Sequence, residues 1–115
     1  MIILYGISNC DTVKKARAWL AGQSVDYQFH DFKKQGVPEA QLQAWIKAVG
    51  WEKLLNRRGT TWRKLDAATQ SGVTDAASAS VLMRANPSTI KRPVVDWGAQ
   101  LTVGFDAGVW AALVP

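Results

Sequence analysis

Cys10 is the one side chain of this 115-residue protein whose type and position together predict reactivity. The run Ile2-Ile3-Leu4-Tyr5 reads as a buried strand and Gly6 to Asn9 as a tight connection. From Asp11 the apolar spacing turns helical, with Val13, Ala16 and Leu20 on one stripe. Cys10 therefore sits where a strand-loop becomes a helix. A helix N-terminus offers unpaired backbone N–H groups and the positive end of the macrodipole. Both favour a thiolate, which lowers the pKa of a thiol and raises its reactivity. The plainer reading of a lone cysteine is a small buried apolar side chain. Exposure and pKa decide between the two. Asp11 follows directly, and its carboxylate would oppose a thiolate if it turned toward Cys10. One Cys and one His cannot supply the usual four protein ligands of zinc, so no metal is expected.

The elements that must position Cys10 follow in order. The first helix is expected from about Asp11 to Ala21, stopped by Gly22, with Lys14, Lys15 and Arg17 largely off its apolar stripe. Val25 to Phe32 alternates and reads as a second strand, which puts His30 in a structural position. A strand, helix and strand of these lengths predicts a parallel β-α-β unit. Lys33 to Pro38 reads as a loop. Leu42, Trp45, Ile46 and Val49 give a helical stripe that ends at Gly50. Trp51 to Leu55 reads as a short helical turn. Thr60 or Thr61 can cap a helix starting at Trp62, Ser71 to Asp75 is a turn, and Ala76 to Ala85 is a helix broken at Asn86-Pro87. Pro93-Val94-Val95 and Gln100 to Val103 form a hairpin around Trp97-Gly98. Asp106 caps a closing helix with Val109, Trp110 and Leu113 apolar. Most of the six tryptophans are expected in or near the core.

The length suits one domain, residues 1–115, with an all-helical insertion at about 38–85. The 48% hydrophobic content is that of a folded globule. A single cysteine cannot close an internal disulfide, and the apolar N-terminal run is too short for a signal peptide or a membrane span. The protein is expected in the cytoplasm, without membrane contact. A net charge of +5 favours anionic partners or simply a solvated basic surface. The basic residues are scattered and no nucleic-acid-binding motif is present, so direct nucleic-acid binding is not expected.

Three blocks then carry a resemblance across essentially the whole chain. They are Tyr5-Gly6-Ile7-Ser8-Asn9-Cys10-Asp11-Thr12, Asn56-Arg57-Arg58-Gly59-Thr60-Thr61-Trp62-Arg63, and Asn86-Pro87-Ser88-Thr89-Ile90-Lys91-Arg92-Pro93-Val94. Together they resemble the ArsC/Spx family of arsenate reductase-like proteins, most closely its YffB branch. The resemblance implies an α/β thioredoxin-like fold with a mixed sheet, β-α-β then β-β-α, around the helical insertion. It implies that Cys10 is the nucleophile, that Arg92 is the oxyanion-holding arginine, and that Pro93 is the thioredoxin-fold proline, in cis beside the thiol. An arginine fork near Cys10 would also stabilise a thiolate and grip a carboxylate. Arg58 or Arg57 would supply a second anion contact. Arg58 is favoured because it adjoins Gly59, where the backbone can bend. A solvated face is the plainer reading of Arg57, Arg63 and Lys64. Asn9 joins the expected glutathione contacts.

Two departures narrow the reaction. The third arginine of the arsenate reductases would fall in Gln100 to Val103, where no basic residue stands, and their histidine four residues before the cysteine is here Gly6. A lost charge-assisted contact is worth roughly 1.5–3 kcal/mol, so little or no arsenate reduction is expected. Val13 stands where the Spx-type regulators carry a second cysteine, so an internal disulfide switch is excluded. Two functions follow from the resemblance. One is a glutathione-dependent thiol oxidoreductase that works through a Cys10–glutathione mixed disulfide, with glutathione as co-substrate and glutaredoxin as a recycling partner. The other is an Spx-like regulator that binds RNA polymerase or another protein.

Overall fold

The computed structural model describes residues 1–115. In chain order the elements are β1 (Ile2–Gly6), α1 (Asp11–Gly22), β2 (Tyr27–Asp31), α2 (Phe32–Gln35), α3 (Glu39–Val49), α4 (Trp51–Leu54), α5 (Thr60–Arg63), α6 (Ala67–Ser71), α7 (Ala76–Ala85), a 3-10 turn (Pro87–Thr89), β3 (Val94–Asp96), β4 (Leu101–Val103) and α8 (Ala107–Ala111). They gather into two compact units, Met1–Gln35 with Arg92–Pro115, and Gly36–Lys91. No helix is long and apolar enough to cross a membrane.

The first unit is built on a four-stranded sheet in the order β2-β1-β3-β4. β1 pairs in parallel with β2, from Ile2 opposite Tyr27 to Gly6 opposite Asp31. On its other side it pairs antiparallel with β3, Leu4 opposite Val95, and β3 turns back into β4. A strand flanked on both sides reads as a nearly continuous apolar run, which is why Ile2 to Tyr5 stood out. The mixed sheet, β-α-β then β-β-α, is the expected thioredoxin-like fold. Leu4, Val13, Ala16, Leu20, Val95 and Trp110 form its core. Trp110 of the closing helix meets Phe105, Trp97 and Trp19 edge-on at centroid distances of 4.8, 5.2 and 5.9 Å, a favoured aromatic geometry. Asp106 caps α8 by accepting from the Val109 N–H.

Several boundaries differ from expectation for local reasons. Helix α1 continues through Gly22, and the chain turns at Ser24, which takes the left-handed φ of 54°. β2 stops at Asp31, short of Phe32. The Asp31 carboxylate accepts from the Lys33 N–H at 2.9 Å while Gln35 Oε1 accepts from the Asp31 N–H at 3.1 Å. That reciprocal pair starts the single turn α2 where a loop was expected. Arg17 is not simply off the stripe. Its Nε donates to the Tyr27 hydroxyl and its guanidinium lies 4.0 Å over the Phe29 ring. His30 packs its ring 5.1 Å from that of Tyr5.

The second unit is helical. Leu42 and Trp45 of α3, Leu54 of α4 and Ala79, Leu82 and Met83 of α7 are its buried apolar residues, with Leu55 and Ile90. Gln43 Nε2 donates to Ser80 Oγ at 2.8 Å between α3 and α7. Helix α7 has the expected bounds because Asp75 and Ser78 form a full capping box. The helix expected from Trp62 starts instead at Thr60, with Gly59 as its cap, and the unanticipated α6 starts at Asp66, whose side chain accepts from the Thr69 N–H. The segment after α4 is clamped to the chain beyond α7. The Lys91 N–H donates to the Leu54 carbonyl at 2.7 Å and the Asn56 N–H to the Thr89 carbonyl at 2.8 Å. Trp45 and Trp110 are buried, and the other four tryptophans are half-buried, as core or near-core packing requires.

Candidate functional site

Cys10 is the N-cap of α1, in extended backbone at φ −122° and ψ 125°. Its carbonyl accepts the first helical hydrogen bond, from the Lys14 N–H at 2.9 Å. Its side chain is half-buried against the core and free of any disulfide. Burial pushes the Cys10 thiol up. The Val13 N–H, a hydrogen bond from the Arg92 guanidinium, the charge of that guanidinium and the Thr12 N–H together outweigh it, so the thiol lies below its ordinary value. Asp11 is exposed and is not among the groups that move the thiol.

Arg92 reaches Cys10 because β3 lies next to β1. The strand begins directly after Pro93, and the Pro93 carbonyl accepts from the Gly104 N–H at 2.8 Å. The Arg92–Pro93 peptide is cis, as expected, and Pro93 is buried. Cys10, Arg92 and Pro93 thus belong to one compact unit although they lie far apart in the chain. Asn9 is exposed in the turn just before the cysteine. The first-turn amides of Thr12 and Val13 were not singled out by residue type. Only the predicted helix start pointed to them.

Arg57 and Arg58 lie in the helical unit, both exposed. The Arg57 guanidinium stands 5.2 Å over the Trp51 ring. Arg58 follows an Asn56 turn in which Asn56 Oδ1 accepts from the Arg58 N–H at 3.1 Å. The bending argument for Gly59 fails, since its φ of −76° and ψ of 157° suit any residue. What Gly59 supplies is room, because a Cβ there would come 2.9 Å from Asn56 Nδ2. Lys53, Arg57, Arg58 and Lys91, with Glu52 as the one acid, line an open groove of about 500 Å³ in this unit. Such a groove favours anions.

A mixed sheet with a cysteine at the first helix start, and an arginine before a cis proline in the same unit, defines a thioredoxin-like architecture. The ArsC family model matches residues 5–113, and the chain belongs to the ArsC family. It is similar over its whole length to a solved protein named YffB, at 47% identity and a TM-score of 0.94, covering all of both chains. An arsenate reductase (ArsC) related protein from Brucella melitensis is 50% identical, with a TM-score of 0.76 over 96% of this chain and 92% of that one. The global transcriptional regulator Spx of Streptococcus pyogenes serotype M6 is 28% identical over 112 residues, 92% of this chain and 79% of Spx.

Proposed function

We propose that the protein is a glutathione-dependent thiol oxidoreductase with Cys10 as its only nucleophile. What supports this reading is the placement of Cys10 as the N-cap of α1 in the same compact unit as Arg92, whose guanidinium, with the Val13 and Thr12 N–H groups, holds the thiol below its ordinary value. The Arg92 charge and the N–H groups of the first helical turn favour the thiolate, the attacking species in thiol–disulfide exchange.

The cycle needs one protein thiol. The Cys10 thiolate attacks the glutathione sulfur of a mixed disulfide substrate. A Cys10–glutathione disulfide forms and the substrate leaves as a thiolate, which takes up a proton. A second glutathione, as thiolate, attacks the bound glutathione sulfur, releases oxidised glutathione and restores the Cys10 thiolate. Glutaredoxin can supply the second thiol in place of free glutathione. Arg92 stabilises the thiolate in the resting and released states. Asn9 and Pro93, which flank Cys10 and Arg92 in sequence, are the proposed contacts for the glutathione peptide. Arg58, with Arg57 as its alternative, is proposed as a further anion contact. With no basic residue in Gln100 to Val103, arsenate turnover with glutathione and glutaredoxin is expected to be small or nil.

Titration of the thiol together with exposure to oxidised glutathione tests the reading. Cys10 is expected to ionise below about 8.5, the ordinary cysteine value, and to form a mixed disulfide seen by mass spectrometry and absent in Cys10→Ser. Ionisation at or above that value with no adduct would sink it. A regulatory reading has its own support in the identity with Spx. It requires a protein partner, and RNA polymerase is the candidate. A pull-down that recovers no polymerase counts against it.

A further inference from the structure

Gly6 is the last residue of β1 and is buried. Over it lies Val13 of α1, which has no exposed surface. A Cβ on Gly6 would stand 2.8 Å from Val13 Cγ2 and 3.3 Å from Val13 Cγ1, whereas its next neighbour, Leu4 Cδ2, would be at an ordinary 3.7 Å. Carbon atoms settle at about 3.5–4.0 Å, so the conflict is with Val13 alone. The backbone of Gly6 is not left-handed, so the position demands space and not a special conformation. Val13 cannot easily rotate clear, because a β-branched side chain in a helix has one strongly preferred rotamer. Cys10 caps the helical turn that holds Val13, its carbonyl accepting from the Lys14 N–H at 2.9 Å, and the N–H groups of Val13 and Thr12 are among the groups that lower its thiol pKa. Side chain and amide belong to one rigid helical turn. What displaces the first displaces the second.

We propose that Gly6 is a positioning residue for Cys10: by carrying no side chain it lets Val13 seat on the end of β1, and so sets the first turn of α1, with its N–H groups, beside the cysteine that caps it. This rests on the reading of Cys10 as the nucleophile and adds a residue four positions away that does not act on the thiol itself.

The test follows the thiol itself, by ultraviolet absorbance of the thiolate and by the pH dependence of alkylation. Gly6→Ala is expected to raise the Cys10 pKa enough to leave about tenfold less thiolate at a fixed pH below it. The double variant Gly6→Ala/Val13→Ala removes both offending methyl groups. It is expected to titrate like the wild type while being less stable, because a buried side chain has been truncated. A purely structural role for Gly6 would move stability and leave the titration alone. A folded Gly6→Ala protein with unchanged titration overturns the proposal. If Gly6→Ala does not fold, the double variant decides: a wild-type titration supports the proposal, and a raised pKa or failure to fold overturns it. Failure of the functional reading shows elsewhere, as a wild-type protein that forms no mixed disulfide with glutathione whatever the variants do.

Discussion

Arg92 and the first-turn amides act on the same sulfur by different means, the arginine through charge as well as a hydrogen bond. Arg92→Gln removes the charge and is expected to raise the Cys10 pKa. Exchange with a disulfide follows the thiolate, so its rate climbs with pH through the Cys10 pKa. That inflection lies below the ordinary thiol value in the wild type and moves up in the variant. At a fixed pH below both inflections, the variant is expected to alkylate more slowly, by about tenfold if its pKa is higher by one. Stability follows the same sign. A depressed native pKa adds stability that is fully present above the unfolded thiol value and is lost as pH falls through the native one. In Arg92→Gln that rise in stability with pH is expected to shrink, as denaturant midpoints across the pH range will show. Cys10 was legible from type and position because a helix start is a local pattern. Its partnership with Arg92 was not, since nothing local in Lys91-Arg92-Pro93 points to residue 10, and only the family resemblance supplied it.

At the scale of elements, legibility followed how local the deciding contact is. Helix α7 and the start of α8 matched expectation because Asp75 with Ser78, and Asp106, bond to amides within one turn. The end of β2 did not, because alternation along Val25 to Phe32 hid the Asp31–Gln35 pair that starts a helical turn. The cap at Thr60 failed for a related reason. Gly59 caps that helix in extended backbone with no side-chain hydrogen bond, and a search for capping side chains does not register such a start. The closing helix is held by its one buried aromatic. Trp110 is 1% exposed and meets three aromatic rings. Trp110→Ala is expected to cost about 3–5 kcal/mol, read as a lowered denaturant midpoint with an unchanged Cys10 titration in the folded protein. A raised thiol pKa in that variant would show that α8 also supports the thiol site.

Across the whole molecule, fourteen basic residues against nine acidic ones give a charge of +5, and the helical unit gathers four cations around one groove. Anionic reactants are drawn to such a surface and salt screens the attraction. The rate of Cys10 modification by oxidised glutathione is therefore expected to fall as ionic strength rises, and to fall more than the rate with a neutral disulfide. Equal salt dependence for both reagents would remove the charge from the account of selectivity. The sequence alone determined what short-range physics controls: the strand order along the chain and the longer helices, most helix stripes and caps, the single thiol and its place at a helix start. Tertiary structure alone decided what depends on residues far apart in the chain. Pairing of β1 with β3 brings Arg92 to Cys10. Packing of α1 on β1 turns Gly6 from a connector into a space that only glycine fills. The reason is one of range, since period and capping act within a turn or two of chain, whereas the environment of a sulfur is set by whatever the sheet lays beside it.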